Sequence, residues 1–343
     1  MKKLLNTFYV TIPDAYLSLD GENIVVKQDN SELRRVPLHN LEGIVTFGRQ
    51  GASPALMRKC AQNGVALVFM TEHGRFQASI VGEERGNVLL RRMQYRVADD
   101  EAKCVEIARN ILAGKLYNGR WVLERTVRDH AMRVDADKIK RAAQLIADTI
   151  PLVRKVETPG ELFGLEGEAA KHYFSVFDEM ILSNKEDFFF RERSRRPPLD
   201  NVNALLSFVY TLLANDIAAA LSGVGLDPFV GFLHRDRPGR RSLALDLMEE
   251  LRAPLADRFV LKLINTRQLV KEDFYQKESG GVILMDDARR TLLAAWQNRK
   301  QEALEHPFLK EKVQWGLVPH VQALLLARYL RGDLDEYPPF FWK

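Results

Sequence analysis

The sequence predicts an α+β protein, in which a mostly antiparallel β domain (residues 1–95) precedes a larger all-α domain (residues 96–343). Three observations predict it. Short β-branched and aromatic segments separated by turn residues fill the first part, helical spacing replaces them after Tyr95, and a histidine and three carboxylates converge inside apolar sequence in the second part. With 343 residues, 46% hydrophobic and 28% charged, the chain is long enough for two domains with full cores.

The strands are expected at Thr7–Ile12, Ala15–Leu19, Asn23–Gln28, Leu33–Pro37, Gly43–Phe47, Val65–Met70, Phe76–Val81 and Asn87–Arg91. Asp20-Gly21, Asp29-Asn30 and His73-Gly74 supply turn chemistry between them. One helix interrupts them at Ser53–Asn63, where Ser53 caps the start, Leu56 and Cys60 keep helical spacing, and Gly64 stops it.

After Tyr95, Ala98-Asp99-Asp100 opens a run with Val105, Ile107, Ala108, Ile111 and Leu112 on one face. Further helical runs cover 115–130, 135–150, 158–182, 200–223, 242–251, 253–264, 285–303 and 315–331. A small hairpin is expected around Gly280-Gly281, between Phe274–Gln276 and Val282–Leu284. Tyr337–Lys343 reads as an exposed aromatic tail.

A net charge of +4 is mild, so any nucleic-acid role depends on where the charge sits. Cys60 and Cys104 have neither CxxC spacing nor histidine companions, which argues against a disulfide framework or a zinc site and fits a reducing cytoplasm. No signal-peptide core and no run of about 18 apolar residues is apparent. A soluble protein without a membrane partner is expected.

The chemistry centres on Ser242–Leu251, where Ser242 is read as the N-cap and Leu243, Leu247, Met248 and Leu251 mark an apolar face. At about 100° per residue, Asp246, Glu249 and Glu250 share the opposite face. Their mutual repulsion calls for a cation, and a divalent metal with His234 as a further ligand would supply one. The competing reading is a solvated acidic face paired with Arg235, Arg237, Arg240, Arg241 and Arg252.

Upstream, Glu166 lies between Gly164 and Gly167 and is a candidate buried carboxylate, the glycines suggesting close approach by a backbone or ligand. An acidic helix start explains the same residues. Arg191, Arg193, Arg195 and Arg196 alternate with Phe188–Phe190 and Pro197-Pro198, a mixture suited to phosphate forks and base stacking. With Arg235, Arg237, Arg240 and Arg241 they form basic flanks to an acidic pocket, as phosphodiester chemistry requires. Asn203, Ser207 and Tyr210 share one helix face, for which packing is the default reading, and His39, His130, His172 and His320 read as structural.

Leu165-Glu166-Gly167, Arg196-Pro197-Pro198, Asn203–Phe208 with Tyr210, Gly231–His234 and Ser242–Arg252 together resemble CRISPR-associated protein one. The resemblance covers essentially the whole chain and looks closest to the type I-C branch. It implies a β domain that mediates homodimerisation and a helical domain that holds one Mn²⁺ or Mg²⁺. Its ligands fall on Glu166, His234 and Glu249, with Asp246 at a second acidic position on the same helix and Tyr210 near the site. It also implies double-stranded DNA and CRISPR-associated protein two as partners. The reaction would be a phosphodiester exchange, in which the 3′-OH of a foreign fragment attacks the edge of a CRISPR repeat. Such an exchange needs no nucleotide cofactor, and the sequence has no GxxxxGK[ST] loop. A branched-DNA repair nuclease and a non-catalytic DNA-binding assembly subunit are the competing functions.

Overall fold

Pattern and turn chemistry place most of the strands, while pairing depends on how the chain crosses over. The computed structural model describes residues 7–12, 14–29, 31–41, 43–48, 51–71, 76–80 and 88–343. In the first part, β1 (Thr7–Val10), β2 (Tyr16–Asp20), β3 (Asn23–Gln28), β4 (Ser31–Pro37) and β5 (Gly43–Phe47) precede α1 (Pro54–Asn63), β6 (Ala66–Met70) and β7 (Phe76–Ile80). The turn residues Asn30 and His73-Gly74, and the expected strand ends Val81 and Asn87, lie outside the described residues.

Strands β2, β3 and β4 form an antiparallel meander. The second sheet has the order β1-β5-β6-β7 and is mixed, since β1/β5 and β5/β6 are parallel and β6/β7 is antiparallel. This corrects the mostly antiparallel expectation for that sheet. The meander and α1 serve as the crossovers that parallel pairing requires. Strand β5 is buried at all its positions, as a parallel interior strand should be. α1 starts as expected, with Ser53 accepting from the Leu56 N–H and Pro54 in the first turn, and Gly64 closes it at φ +67°. Leu17, Ile24, Val26, Leu38, Ile44, Leu56, Cys60 and Leu67 make the core of this part.

The helical part contains α2 (Val88–Ala98), α3 (Glu101–His130), α4 (Ala136–Val153), α5 (Pro159–Ser175), α6 (Asn201–Val224), α7 (Ser242–Leu251) and α8 (Arg258–Asn265). Then come β8 (Phe274–Gln276), β9 (Val282–Leu284), α9 (Asp286–Gln301), β10 (Ala303–Glu305), β11 (Lys312–Gln314) and α10 (Val318–Leu330). The strand expected across Arg91 is instead the start of α2, where Leu90, Gln94 and Val97 are buried at helical spacing. The β8/β9 hairpin forms where expected, and β10/β11 adds a second that composition did not signal.

Two compact units result. One comprises Met1–Arg85 with Leu284–Glu302, and the other Gly86–Ile283 with Ala303–Lys343, whereas the sequence suggested a single break after residue 95. α9 joins the first unit, where the Arg289 guanidinium lies 5.5 Å from the centre of the Phe47 ring. α6 is long and apolar enough to cross a membrane by length and composition, which the run-length reading missed. Its most apolar window is 61% buried in the protein, so it serves as a core helix.

The C-terminal segment is not an exposed tail. Tyr337 and Phe340 are fully buried and Trp342 nearly so. The Asn118 amide fixes it, donating to the Phe340 carbonyl at 2.7 Å and accepting from the Trp342 N–H at 2.7 Å. Polar anchors inside the helical unit thus decide what an apolar ending alone could not.

Candidate metal centre

Glu166 comes from α5, which Thr158 caps and Pro159 opens. Its side chain is 29% exposed, so it is a partly open carboxylate and not the buried one expected. The flanking glycines do not mark a close approach, because a Cβ at Gly164 or Gly167 would meet nothing within 4 Å.

His234 sits on the loop before α7, and Gln94 holds the start of that loop. The Gln94 amide donates to the Asp227 and Val230 carbonyls at 2.8 and 2.9 Å and accepts from the Asp227 N–H at 2.9 Å. Gly231 then lets the chain press onto α7, since a Cβ there would lie 2.8 Å from both Asp246 Oδ2 and Ser242 Cβ. This approach delivers three backbone donors to Asp246: the N–H groups of Phe232, Leu233 and His234, at 2.6, 3.0 and 2.9 Å. His234 Nδ1 adds a fourth contact to Asp246 Oδ1 at 2.7 Å. Asp246 therefore orients the histidine, and Nε2 is the ring nitrogen left without a protein partner among the described residues.

Ser242 is not the N-cap. Arg241 holds that position without a side-chain cap, and the Ser242 hydroxyl donates to the Arg235 carbonyl. The expected split of α7 into an apolar and an acidic face also gives way, because nearly every residue from Ser242 to Leu251 is buried. Asp246, Glu249 and Glu250 face three different neighbourhoods.

Glu249 is clamped by Arg252, whose Nη1 lies 2.8 and 2.9 Å from its two oxygens, and by Lys115 Nζ at 2.8 Å. Lys115 also pairs with Glu166, so one ammonium bridges the two carboxylates. Burial opposes charge on Glu249, yet the Arg252 and Lys115 charges hold its carboxyl far below the usual range. Glu250 receives the Tyr337 hydroxyl at 2.8 Å, the Gln322 amide at 2.9 Å and the Phe340 N–H at 2.7 Å. With no cation among these donors, burial pushes its carboxyl up to about 8.

Tyr210 supports this arrangement from α6. Its ring lies under two guanidinium groups, Arg252 at 4.7 Å and Arg193 at 5.4 Å from the centroid. Its hydroxyl donates to Asp257 Oδ1 at 2.5 Å, and Tyr173 donates to Oδ2 at 3.0 Å. Burial pushes the Asp257 carboxyl up to about 6 against these hydrogen bonds. Arg193 donates to Asn203 and Ser207 at 2.7 and 3.0 Å, so its guanidinium braces α6. Arg191, Arg195, Arg196, Arg235 and Arg237 are exposed, Arg240 is half-buried, and Arg191 lies over Phe189 at 5.2 Å.

Glu166, His234 and Glu249 line one cavity of about 20 Å³ with Phe163 and Leu233. That is room for one water-sized species. Among the described residues, no three acidic, histidine or cysteine side chains stand close enough to share an ion. The donor chemistry is nevertheless of the kind a divalent metal takes, because two carboxylates and an oriented imidazole line the same cavity, where the Lys115 ammonium now pairs with both carboxylates. Lys115, Asn118 and Asp257 escaped the sequence reading. A lysine between buried Gly114 and Leu116, and an aspartate inside Ala253–Leu263, were the available signals.

Residues 8–298 match the family described as CRISPR associated protein Cas1. CRISPR-associated endonuclease Cas1 1 of Chlorobaculum tepidum is 52% identical over 343 residues, covering 100% of both chains. The chain belongs to this family. A second Cas1 endonuclease, from Rhodospirillum rubrum, is also 52% identical over the full length of both chains. The Cas1 fold is shared with a casposase bound to integration product, at TM-score 0.84, 23% identity and coverage of 99% of this chain and 95% of that one. A Cas1 protein from Thermotoga maritima aligns at TM-score 0.79 and 23% identity, covering 96% and 97% of the two chains. This Cas1 chain is a CRISPR-associated endonuclease, as its full-length relatives are.

Proposed function

We propose that this Cas1 chain inserts foreign DNA fragments as spacers into a CRISPR array by phosphoryl transfer, using Mn²⁺ or Mg²⁺ held by Glu166, His234 and Glu249. The observation that carries the reading is that these three side chains line one small cavity in a unit that also carries exposed arginines. When bound, the metal supplies Lewis-acid neutralisation of charge on the reacting phosphate. Asp246 is assigned as the residue that holds His234 in one tautomer and orientation, since backbone donors and the imidazole occupy both its oxygens. Arg252, steadied by Tyr210, fixes the Glu249 carboxylate. Arg191, Arg195, Arg196, Arg235, Arg237 and Arg240 bind the DNA backbone, and Arg193 shapes the loop that presents its neighbours.

The same proposal assigns the chain to the type I-C branch and to a reducing cytoplasm, where buried Cys60 and Cys104 stay free thiols. Double-stranded DNA and CRISPR-associated protein two are its partners. A Cas6-RT-Cas1--Cas2 complex shares the fold at TM-score 0.82 and 22% identity, over 100% of this chain and 36% of that one. Two ends of one fragment must reach two target phosphates, so at least two copies act, paired through the β domain (residues 1–95) ahead of the metal-binding helical domain (residues 96–343).

The test combines purified protein, Mn²⁺, a labelled duplex and a repeat-bearing plasmid. Joining of label to the repeat edge is expected. Hydrolysis of branched DNA without joining would favour a repair nuclease, and binding without cleavage a non-catalytic subunit. Light scattering should show a homodimer for wild type and for Glu166→Ala alike. A full-length monomer at micromolar concentration would remove the dimer from the proposal.

A further inference from the structure

Lys115 touches both carboxylates of the centre, and its side chain is only 15% exposed. Its helix is locked at this turn. A Cβ at Gly114 would lie 3.0 Å from Pro339 Cβ and 3.2 Å from Glu250 Cγ, and one turn later Asn118 donates to the Glu250 and Phe340 carbonyls at 2.7 Å each. The backbone of α3 therefore cannot slide away from α7, whereas a four-carbon stem with rotatable bonds can swing. The cavity of about 20 Å³ has no room for a hydrated divalent cation beside the ammonium. Lys115 lies on one oxygen of Glu166 and one of Glu249, and Arg252 pairs with Glu249 alone, so a metal that takes the two oxygens facing Lys115 must displace the ammonium. Arg252 holds both oxygens of Glu249 and is stacked on Tyr210, while Lys115 has no aromatic ring beneath it among the described residues.

We infer that Lys115 is an internal counter-ion that competes with the divalent metal for Glu166 and Glu249 and, once displaced, adds its positive charge where the phosphodiester is held. The inference rests on the metal reading above. In the metal-free protein the ammonium keeps two carboxylates together that would otherwise repel each other. With metal present, the lysine stays tethered within its own length of the cavity and favours a polyanion there. Lys115 is thus a positioning residue that lowers metal affinity and raises affinity for the nucleic acid. These two effects have opposite signs, which separates them from a merely structural role.

Titration calorimetry of the full chain with Mn²⁺ tests this on wild type, Lys115→Met, Lys115→Arg and Glu166→Ala. Lys115→Met should bind Mn²⁺ about tenfold more tightly, the factor expected when one charge-assisted contact stops competing. The same variant should melt at lower temperature in EDTA and show a raised KM for duplex cleavage at saturating Mn²⁺. Lys115→Arg should bind Mn²⁺ more weakly than wild type, because a guanidinium fork pairs carboxylates more firmly. Equal or weaker Mn²⁺ binding by Lys115→Met overturns the inference, as does an arginine variant that binds as tightly as wild type. The arginine variant decides alone if the methionine variant does not fold. Wild type that binds no Mn²⁺, or binds it as Glu166→Ala does, overturns the metal reading itself.

Discussion

Glu249 and Glu250 are neighbours on α7, both buried, and the protein treats them in opposite ways. Glu249 faces Arg252 and Lys115 and is held ionised, while Glu250 faces a tyrosine, a glutamine amide and a backbone N–H and is pushed up to about 8. Burial acts on both, so the partner set decides the charge. A cation-rich pocket keeps a carboxylate ionised, as the proposed ligand role of Glu249 requires. A pocket of neutral donors uses the next carboxyl to tie the C-terminal segment to α7.

The largest effect that can break this comparison is on catalysis. Glu166→Ala, His234→Ala and Glu249→Ala should each lower metal-dependent cleavage by roughly a thousandfold or more, and the double variants should be little worse than the singles because one ion is lost in every case. Near wild-type rates at saturating Mn²⁺ would remove that residue from the ligand set. Glu250→Gln should keep most of the activity.

Next in size is stability, read by urea unfolding in EDTA. Glu249→Gln leaves two largely covered cations short of a counter-charge and should cost about 3 kcal/mol. Glu250→Gln keeps a neutral group of the same shape among neutral donors and should cost about 1 kcal/mol. Equal losses would mean that the two pockets do not differ in the way their partners imply.

The third carboxylate sharpens the comparison through pH. Burial raises Asp257 from 3.8 to about 6, opposed by the Tyr210 hydrogen bond and the Arg252 charge. The folded state therefore holds this proton more firmly than the unfolded chain. The stability it contributes is complete below about 3.8 and lost as pH rises through about 6, with a slope near 1.4 kcal/mol per pH unit at most. Asp257→Asn should flatten the unfolding free energy across that window. An unchanged slope would show that another group sets it.

The smallest effects belong to the arginines. Replacing Arg195, Arg196, Arg235 or Arg237 by alanine should each reduce the salt slope of duplex binding by about 0.9 for every phosphate left without its cation, without moving the melting temperature. Arg193→Ala should do the reverse, because its guanidinium is committed to Asn203, Ser207 and the Tyr210 ring. Filter binding over a salt series separates the two outcomes.

Local pattern by itself determined much of this protein. Ser53 and Gly64 bound α1, and the β8/β9 segments pair as their composition suggests, because caps, turns and periodicity act within a few residues. The motifs carrying Glu166, His234 and Glu249 could be picked out in the sequence, and the structure brings all three to one cavity. Only the tertiary structure decided what each charge does. On a helical wheel Asp246, Glu249 and Glu250 share a face, yet a loop pressed on through Gly231, two cations from α3 and the turn after α7, and the C-terminal segment give them three separate roles. The parallel pairs in the second sheet and the burial of Tyr337 and Phe340 belong to the same class. Each depends on partners far away in the chain, and local spacing does not encode which residues those partners are.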